Sequence, residues 1–177
     1  MPFTHDTEAA LRAAVTLANS AEEPDTLTTS AELAAFVDEH RYTGRLVGDE
    51  AELQDVRGVR GLLRRLLTAD RDGTVALVND VLAARRAVPQ LVRHDGFDYH
   101  LHAVDADTPL ADRIAVETAM AMIDLIRADE LSRLATCADP GCEGIVLDLS
   151  RNRSRRFCST TCGNRIAVAN YRARHKP

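Results

Sequence analysis

The chain carries the stretch CADPGCEGIVLDLSRNRSRRFCSTTC at residues 137–162, which contains every cysteine of the 177-residue sequence. Two close pairs, Cys137 with Cys142 and Cys158 with Cys162, are separated by fifteen residues. In a reducing compartment this spacing suits tetrahedral Zn²⁺, because each pair spans one edge of the tetrahedron while the intervening loop folds over the ion. Two disulfides in a secreted protein, or four ordinary buried cysteines, are the alternatives. The spacing favours zinc.

The N-terminus indicates which compartment to expect. The first residues, MPFTHD, contain no basic segment followed by an apolar one, so no signal peptide is predicted. No apolar run reaches the roughly 18 residues that a membrane span needs. We therefore expect a cytoplasmic protein with reduced thiols and no membrane partner. Catalytic zinc usually keeps an open position and has His or carboxylate ligands, so four cysteines predict one structural Zn²⁺ per chain.

The charge is divided unevenly along the chain. The formal net charge is −5, but residues 1–132 carry 13 Arg, no Lys and 24 Asp or Glu, whereas residues 133–177 carry 9 Lys or Arg and 3 acidic residues. The overall acidity therefore does not exclude a polyanionic partner for the C-terminal part. This division also predicts two domains, 1–132 and 133–177.

Hydrophobic periodicity predicts a mainly α-helical first domain with one β-hairpin, an α+β fold. Thr29 and Glu32 have the spacing of a capping box, and Pro109 suits the first turn of the last helix. Between residues 90 and 104 the period changes to two, and Asp95-Gly96 indicates a hairpin with a two-residue turn. Helices are expected at residues 5–19, from Thr29 toward Gly44, at 49–69, at 74–86 and from Pro109 to about Leu134.

Two segments carry a family resemblance. The run RRFCSTTCGNR at residues 155–165, followed by YRAR at 171–174, resembles the CGNR zinc finger family, although Phe157 stands where Trp is expected more often. The segment LANS at 17–20, Asp25, the Arg57-x2-Arg60 spacing and the hairpin before the last long helix resemble the ABATE domain that commonly precedes that finger. The resemblance implies a treble-clef-like finger and a stress-responsive transcription regulator.

The helix that follows Cys162 suggests what the finger contacts. At about 100° per residue, Ile166, Ala169 and Ala173 are expected to face the small core of the finger. The opposite and flanking sides carry amide, aromatic and guanidinium groups that suit DNA phosphates and base edges. The predicted nucleic-acid-binding residues are Arg155, Arg156, Asn164, Arg165, Tyr171, Arg172 and Arg174. The alternative is a protein-interaction module whose basic surface docks on a protein, including the acidic first domain.

A pair of arginines in the first domain suggests a regulatory role for it. Arg57 and Arg60 lie one turn apart and are expected to reach Asn19 or Asp25, forming either a structural network or a pocket for an anionic effector. We expect this domain to form a homodimer, to sense a small-molecule effector or to contact a partner. No nucleophilic triad, phosphate-binding glycine loop or carboxylate pair is recognisable, so we expect a protein that is not an enzyme.

Overall fold

The computed structural model describes residues 3–93 and 98–175, and these form the mainly α-helical fold with small β-hairpins that the sequence predicts. Two antiparallel pairs, β1 with β2 and β3 with β4, accompany the helices. The elements in chain order are α1 (His5–Asn19), α2 (Ser30–Glu39), α3 (Glu50–Thr68), α4 (Arg71–Ala84), β1 (Gln90–Val92), β2 (His100–His102), α5 (Leu110–Arg127), β3 (Leu134–Thr136), β4 (Ile145–Leu147) and α6 (Thr160–Arg174).

Side-chain caps set where α2, α3 and α4 begin. The capping box of α2 is present: the Thr29 hydroxyl accepts from the Glu32 N–H at 3.2 Å, and Glu32 Oε2 accepts from the Thr29 N–H at 2.9 Å. Asp49 caps α3 at 2.9 Å. Asp70 accepts from the Gly73 N–H at 2.8 Å and starts α4 at Arg71, before the expected Thr74; the helix ends at Ala84, short of the expected Arg86.

Helix α5 is the central helix of the core, and α1, α3 and α4 pack around it. Its Leu110, Ile114, Met122 and Leu125 are fully buried. Burial of such a set of side chains, at about 1.5–3 kcal/mol each, dominates the stability of a helical domain. The core side chains thus come from α1, α3, α4 and α5, with further contributions from α2 and β4.

Both ends of α5 differ from the sequence prediction. The helix ends at Arg127 instead of near Leu134, because Asp129 has a φ of 56° and Leu134 begins β3. At the other end Pro109 is the N-cap residue with a ψ of 141°, and it lies just outside the first turn. Apolar spacing alone does not separate the last turn of a helix from a strand that follows it.

The first hairpin also differs in register. A two-residue turn at Asp95-Gly96 would pair Leu91 with His100, whereas the structure pairs Leu91 with Leu101. The predicted turn itself lies outside the described residues. The pairing of the strands is therefore shifted by one residue from the prediction.

Candidate zinc centre and basic helix

The four cysteine sulfurs lie in one cluster at the base of α6. All four Sγ atoms are within 4.8 Å of one another, with 3.5 Å between Cys142 and Cys158 and 3.7 Å between Cys158 and Cys162. Tetrahedral zinc with Zn–S bonds of about 2.3 Å requires S···S separations of about 3.8 Å. The cluster has the size and the ligand set of a structural Cys₄ zinc site, as predicted. Cys137 and Cys142 come from the turn between β3 and β4, and the other pair from the start of α6.

Backbone groups approach the sulfurs closely. The N–H of Gly144 points to Cys142 Sγ at 3.3 Å, and the N–H of Cys158 points to Cys137 Sγ at 3.5 Å. A Cβ at Gly144 would lie 2.8 Å from Cys158 Sγ, closer than real Cβ contacts allow. Gly144 is thus a site residue that the sequence reasoning missed, and its position two residues after a ligand was the available signal.

Burial and the neighbouring cysteines Cys142, Cys137 and Cys162 raise the pKa of Cys158 well above its ordinary value. Four thiolates cannot accumulate in one small volume without a compensating positive charge. A divalent ion bound by all four sulfurs would supply that charge and would hold the turn and the helix together. The electrostatics of the cluster therefore agree with its geometry.

Strand β4 joins the finger to the helical domain. Ile145 and Leu147 pack into the helical core, while Val146 between them packs against Cys137 and Cys162. This alternation follows from the period of two of a strand, which sends successive side chains to opposite faces. One three-residue strand is therefore shared by both cores.

Asn19, at the end of α1, adds a polar connection at the same strand. Its Nδ2 donates to the Ile145 carbonyl at 2.8 Å, and its Oδ1 accepts from the Ile145 N–H at 2.7 Å. Arg64 of α3 contributes a further contact by donating to the Glu143 carbonyl at 2.8 Å. The finger is thus fastened to the helical domain and does not hang from it by a linker.

Several basic side chains are committed within the finger. Arg165 pairs with the buried Asp139 at 3.0 Å, and Arg155 donates to the carbonyls of Phe157 at 3.4 Å and Cys158 at 3.2 Å. These contacts stabilise the zinc loops, so two of the predicted DNA-contacting residues have structural partners.

Arg133, which the prediction of site residues did not include, donates from its buried side chain to the carbonyls of Asp148 at 2.9 Å and Ser150 at 3.2 Å. It thereby fixes the start of the loop that leads to the second cysteine pair. A charged residue next to a strand offered no sequence signal for this role.

Beyond its first turn, α6 projects into solvent. Cys162 is its buried residue and Ile166 is half-buried, but Ala169 and Ala173 are exposed, contrary to the prediction that both face a core. The apolar groups of the finger, Val146 and Phe157, lie at the start of the helix, and among the described residues no apolar surface covers its far end.

The exposed part of α6 carries the remaining predicted contact residues. Tyr171 is 59% exposed and stacks on His175 with ring centroids 4.2 Å apart. Arg174 donates to the Asn170 carbonyl of its own helix at 3.3 Å. Within residues 3–93 and 98–175, no hydrogen bond or ion pair engages the side chains of Asn164, Arg172 or Arg156, of which the last precedes the helix.

The four residues of the predicted effector pocket are separated into two places. Asp25 accepts from Arg57 at 3.2 Å and from Arg60 at 2.9 and 3.1 Å, whereas Asn19 binds Ile145 instead. The hydrogen bond from Arg60, together with the Leu27 N–H, lowers the pKa of Asp25 to about 2. Asp25 thus already supplies the negative charge that an anionic ligand would bring.

The arrangement of a helical domain sharing a strand with a Cys₄ finger agrees with two protein-family models. One, ABATE, matches residues 11–129 and is described as "Putative stress-induced transcription regulator". The chain belongs to the ABATE family. The CGNR zinc finger model matches residues 133–175, so this ABATE protein has the family pair that the resemblance implied. A search of curated proteins found no match. In the part of the ABATE chain that the structure describes, no helix is long and apolar enough to cross a membrane.

Proposed function

We propose that this ABATE-family protein is a cytoplasmic transcription regulator that acts by binding and not by catalysis, and that α6 is its DNA-binding element. The observation that carries the proposal is the exposure of α6 beyond its first turn while its start is held by two zinc ligands. A rigid helix presented in this way suits a surface that accepts a whole helix.

The dimensions and charge of α6 fit duplex DNA. Its 15 residues span about 22 Å, and the major groove is wide enough to admit a helix. From Leu149 to the end, the sequence has eight Arg or Lys residues and no Asp or Glu. Arg172 and Arg156 are available for phosphates or base edges, because neither side chain is committed among the described residues. Asn164 and Tyr171 add an amide and an aromatic ring on the exposed helix.

The second reading, a zinc-stabilised protein-interaction module, predicts that the basic surface pairs with acidic groups. Two such pairs are present between the domains, both with Glu130: Arg153 at 2.7 Å and Arg133 at 2.9 Å. The guanidinium groups of α6 make no ion pair with the acidic domain within the described residues, and Arg165 pairs inside the finger. The contacts therefore favour an external polyanion over an intramolecular one.

We assign the helical domain a regulatory role, in which effector sensing or formation of a homodimer adjusts the availability of α6. The shared strand β4 supports this assignment, because a shift of α1 would be transmitted to the zinc turn through Asn19 and Ile145. For Arg57 and Arg60, the contacts with Asp25 favour the structural network over an anionic-effector pocket.

The proposal is tested by fluorescence anisotropy of a labelled pool of genomic duplex fragments, titrated with the zinc-loaded full chain at several salt concentrations. Binding should weaken steeply with salt because counterions are released from DNA. The double variant R156A/R172A should bind more weakly and reduce the slope of log K against log salt by up to about two.

The matched control is R65A, which removes an exposed Arg from α3 and leaves the finger unchanged. It should bind DNA like the wild type. An equal loss of affinity in R65A would show that binding is diffuse and not located at α6. Absence of binding to any fragment would reject DNA as the partner and support the protein-interaction module.

A further inference from the structure

A cavity lies in the helical domain, away from the zinc centre and from the Asp25 network. Its volume is about 510 Å³, within the roughly 300–1,000 Å³ of small-molecule sites. It is open to solvent on one side and is lined by α2, by the loop between α2 and α3, and by the start of α3.

The loop that forms one wall of this cavity is held from behind by α5. The buried Arg113 donates to the carbonyls of Thr43 and Arg45. The Arg45 N–H donates to the Ala106 carbonyl at 2.8 Å. Gly44 has a φ of 84°, and a Cβ there would lie 2.7 Å from the same carbonyl oxygen, so the close approach needs glycine.

Both ends of the loop are fastened as well. At the α3 end, Glu52 Oε2 accepts from the N–H groups of Val47 at 2.9 Å and Gly48 at 2.7 Å. At the α2 end, the Tyr42 ring stacks on Phe36 with centroids 5.8 Å apart. The wall is therefore fixed along its length, and the cavity is preformed because the loop cannot collapse into it without breaking these bonds.

The lining is apolar with a few charged groups. Leu33, Ala34 and Val37 form the α2 side, and Leu46 faces them from the loop. Leu46 is 42% exposed, a position in which a large apolar side chain contributes little to folding. The carboxylates of Asp38 and Glu52 also line the cavity, together with Arg41 and Tyr42.

We propose that this cavity binds a small, largely apolar molecule that bears an amine or another N–H donor. The apolar side chains would cover the body of the molecule, and the exposed Asp38 carboxylate would accept from its donor, since Glu52 already holds the loop. This site differs from the Asp25 network in position and in charge preference. The proposal concerns ligand binding alone and does not depend on whether α6 binds DNA.

The test titrates the zinc-loaded full chain, without DNA, with 1-N-phenylnaphthylamine, a neutral aromatic amine whose fluorescence rises in apolar surroundings. The wild type should show saturable binding with one site per chain. A34F fills the cavity, and L46S removes its exposed apolar wall. Each should weaken binding at least tenfold while the far-UV circular dichroism remains that of the wild type.

The control is L91S, which removes a 68% exposed leucine from the first hairpin, an apolar surface outside the cavity. It should bind the probe like the wild type. Loss of binding in L91S with retention in A34F and L46S would place the probe on the hairpin and overturn the proposal. Absence of a saturable signal in the wild type would also overturn it.

Discussion

Replacing Asn19 with alanine would test whether the finger and the helical domain fold as one body. The change removes two hydrogen bonds, of 2.8 and 2.7 Å, and leaves the C=O and N–H of Ile145, a 1% exposed residue, without these partners. A hydrogen bond contributes about 0.5–1.5 kcal/mol, and an unsatisfied buried group costs about 1–3 kcal/mol. Since Asn19 is half-buried and water reaches part of the site, we expect a loss of about 2–4 kcal/mol in the free energy of unfolding.

The measurement is urea unfolding of the zinc-loaded chain, followed by far-UV circular dichroism. The rate of zinc transfer to a chromophoric chelator provides a second readout. Asn19 holds Ile145, and the N–H of the preceding Gly144 points to Cys142 Sγ, so a change at Asn19 should reach the zinc ligands. N19A should unfold at lower urea and release zinc faster. N19D should be similarly destabilised at pH 7, because a carboxylate oxygen would face the Ile145 carbonyl in place of the amide N–H.

The control variant is N79A, which removes an exposed asparagine from α4. It should change the free energy of unfolding by less than about 0.5 kcal/mol, as surface substitutions usually do. If N19A unfolds within that margin of the wild type and releases zinc at the same rate, the shared strand does not couple the two parts. The reasoning from Asn19 would then be refuted.

G144A should weaken zinc binding in a competition with a chelator, since its Cβ would lie 2.8 Å from Cys158 Sγ, whereas G58A, with open space around it, should leave zinc affinity unchanged. Burial raises the pKa of Glu117 from 4.5 to about 7, so stability should fall as pH rises through this range; E117Q should flatten that fall in thermal unfolding. R113M should lower the melting temperature, because it leaves backbone carbonyls of the cavity loop without their donor.

The local features of the fold were predictable because their causes are local. The Thr29 capping box depends on residues three positions apart, and α1 coincides with its apolar pattern at His5–Asn19. The predicted end of α5 was wrong, and the register of the first hairpin differs from the one that a two-residue turn would give. The positive φ of Asp129 and the pairing of Leu91 with Leu101 depend on tertiary contacts. Periodicity carries no information about either.

The zinc ligands were identified from spacing, because a tetrahedral ion needs four thiolates that short loops bring together. The roles of the arginines could not be identified from the sequence. Arg165 and Arg172 lie on the same helix, yet the first is held by Asp139 while no partner is seen for the second among the described residues. The chemistry of a guanidinium is the same in both places, and only the packing of the zinc loops places a carboxylate beside one of them.

The helical domain, the Cys₄ site and the basic C-terminal part can be recognised without a structure, because periodicity, ligand spacing and charge are properties of residues near one another in the chain. Tertiary contacts were needed to show that β4 serves two cores, that Asn19 binds that strand, and that α6 is left exposed. These depend on contacts between residues more than a hundred positions apart, such as Asn19 and Ile145. Their energies arise only when folding brings the groups together and removes water from between them.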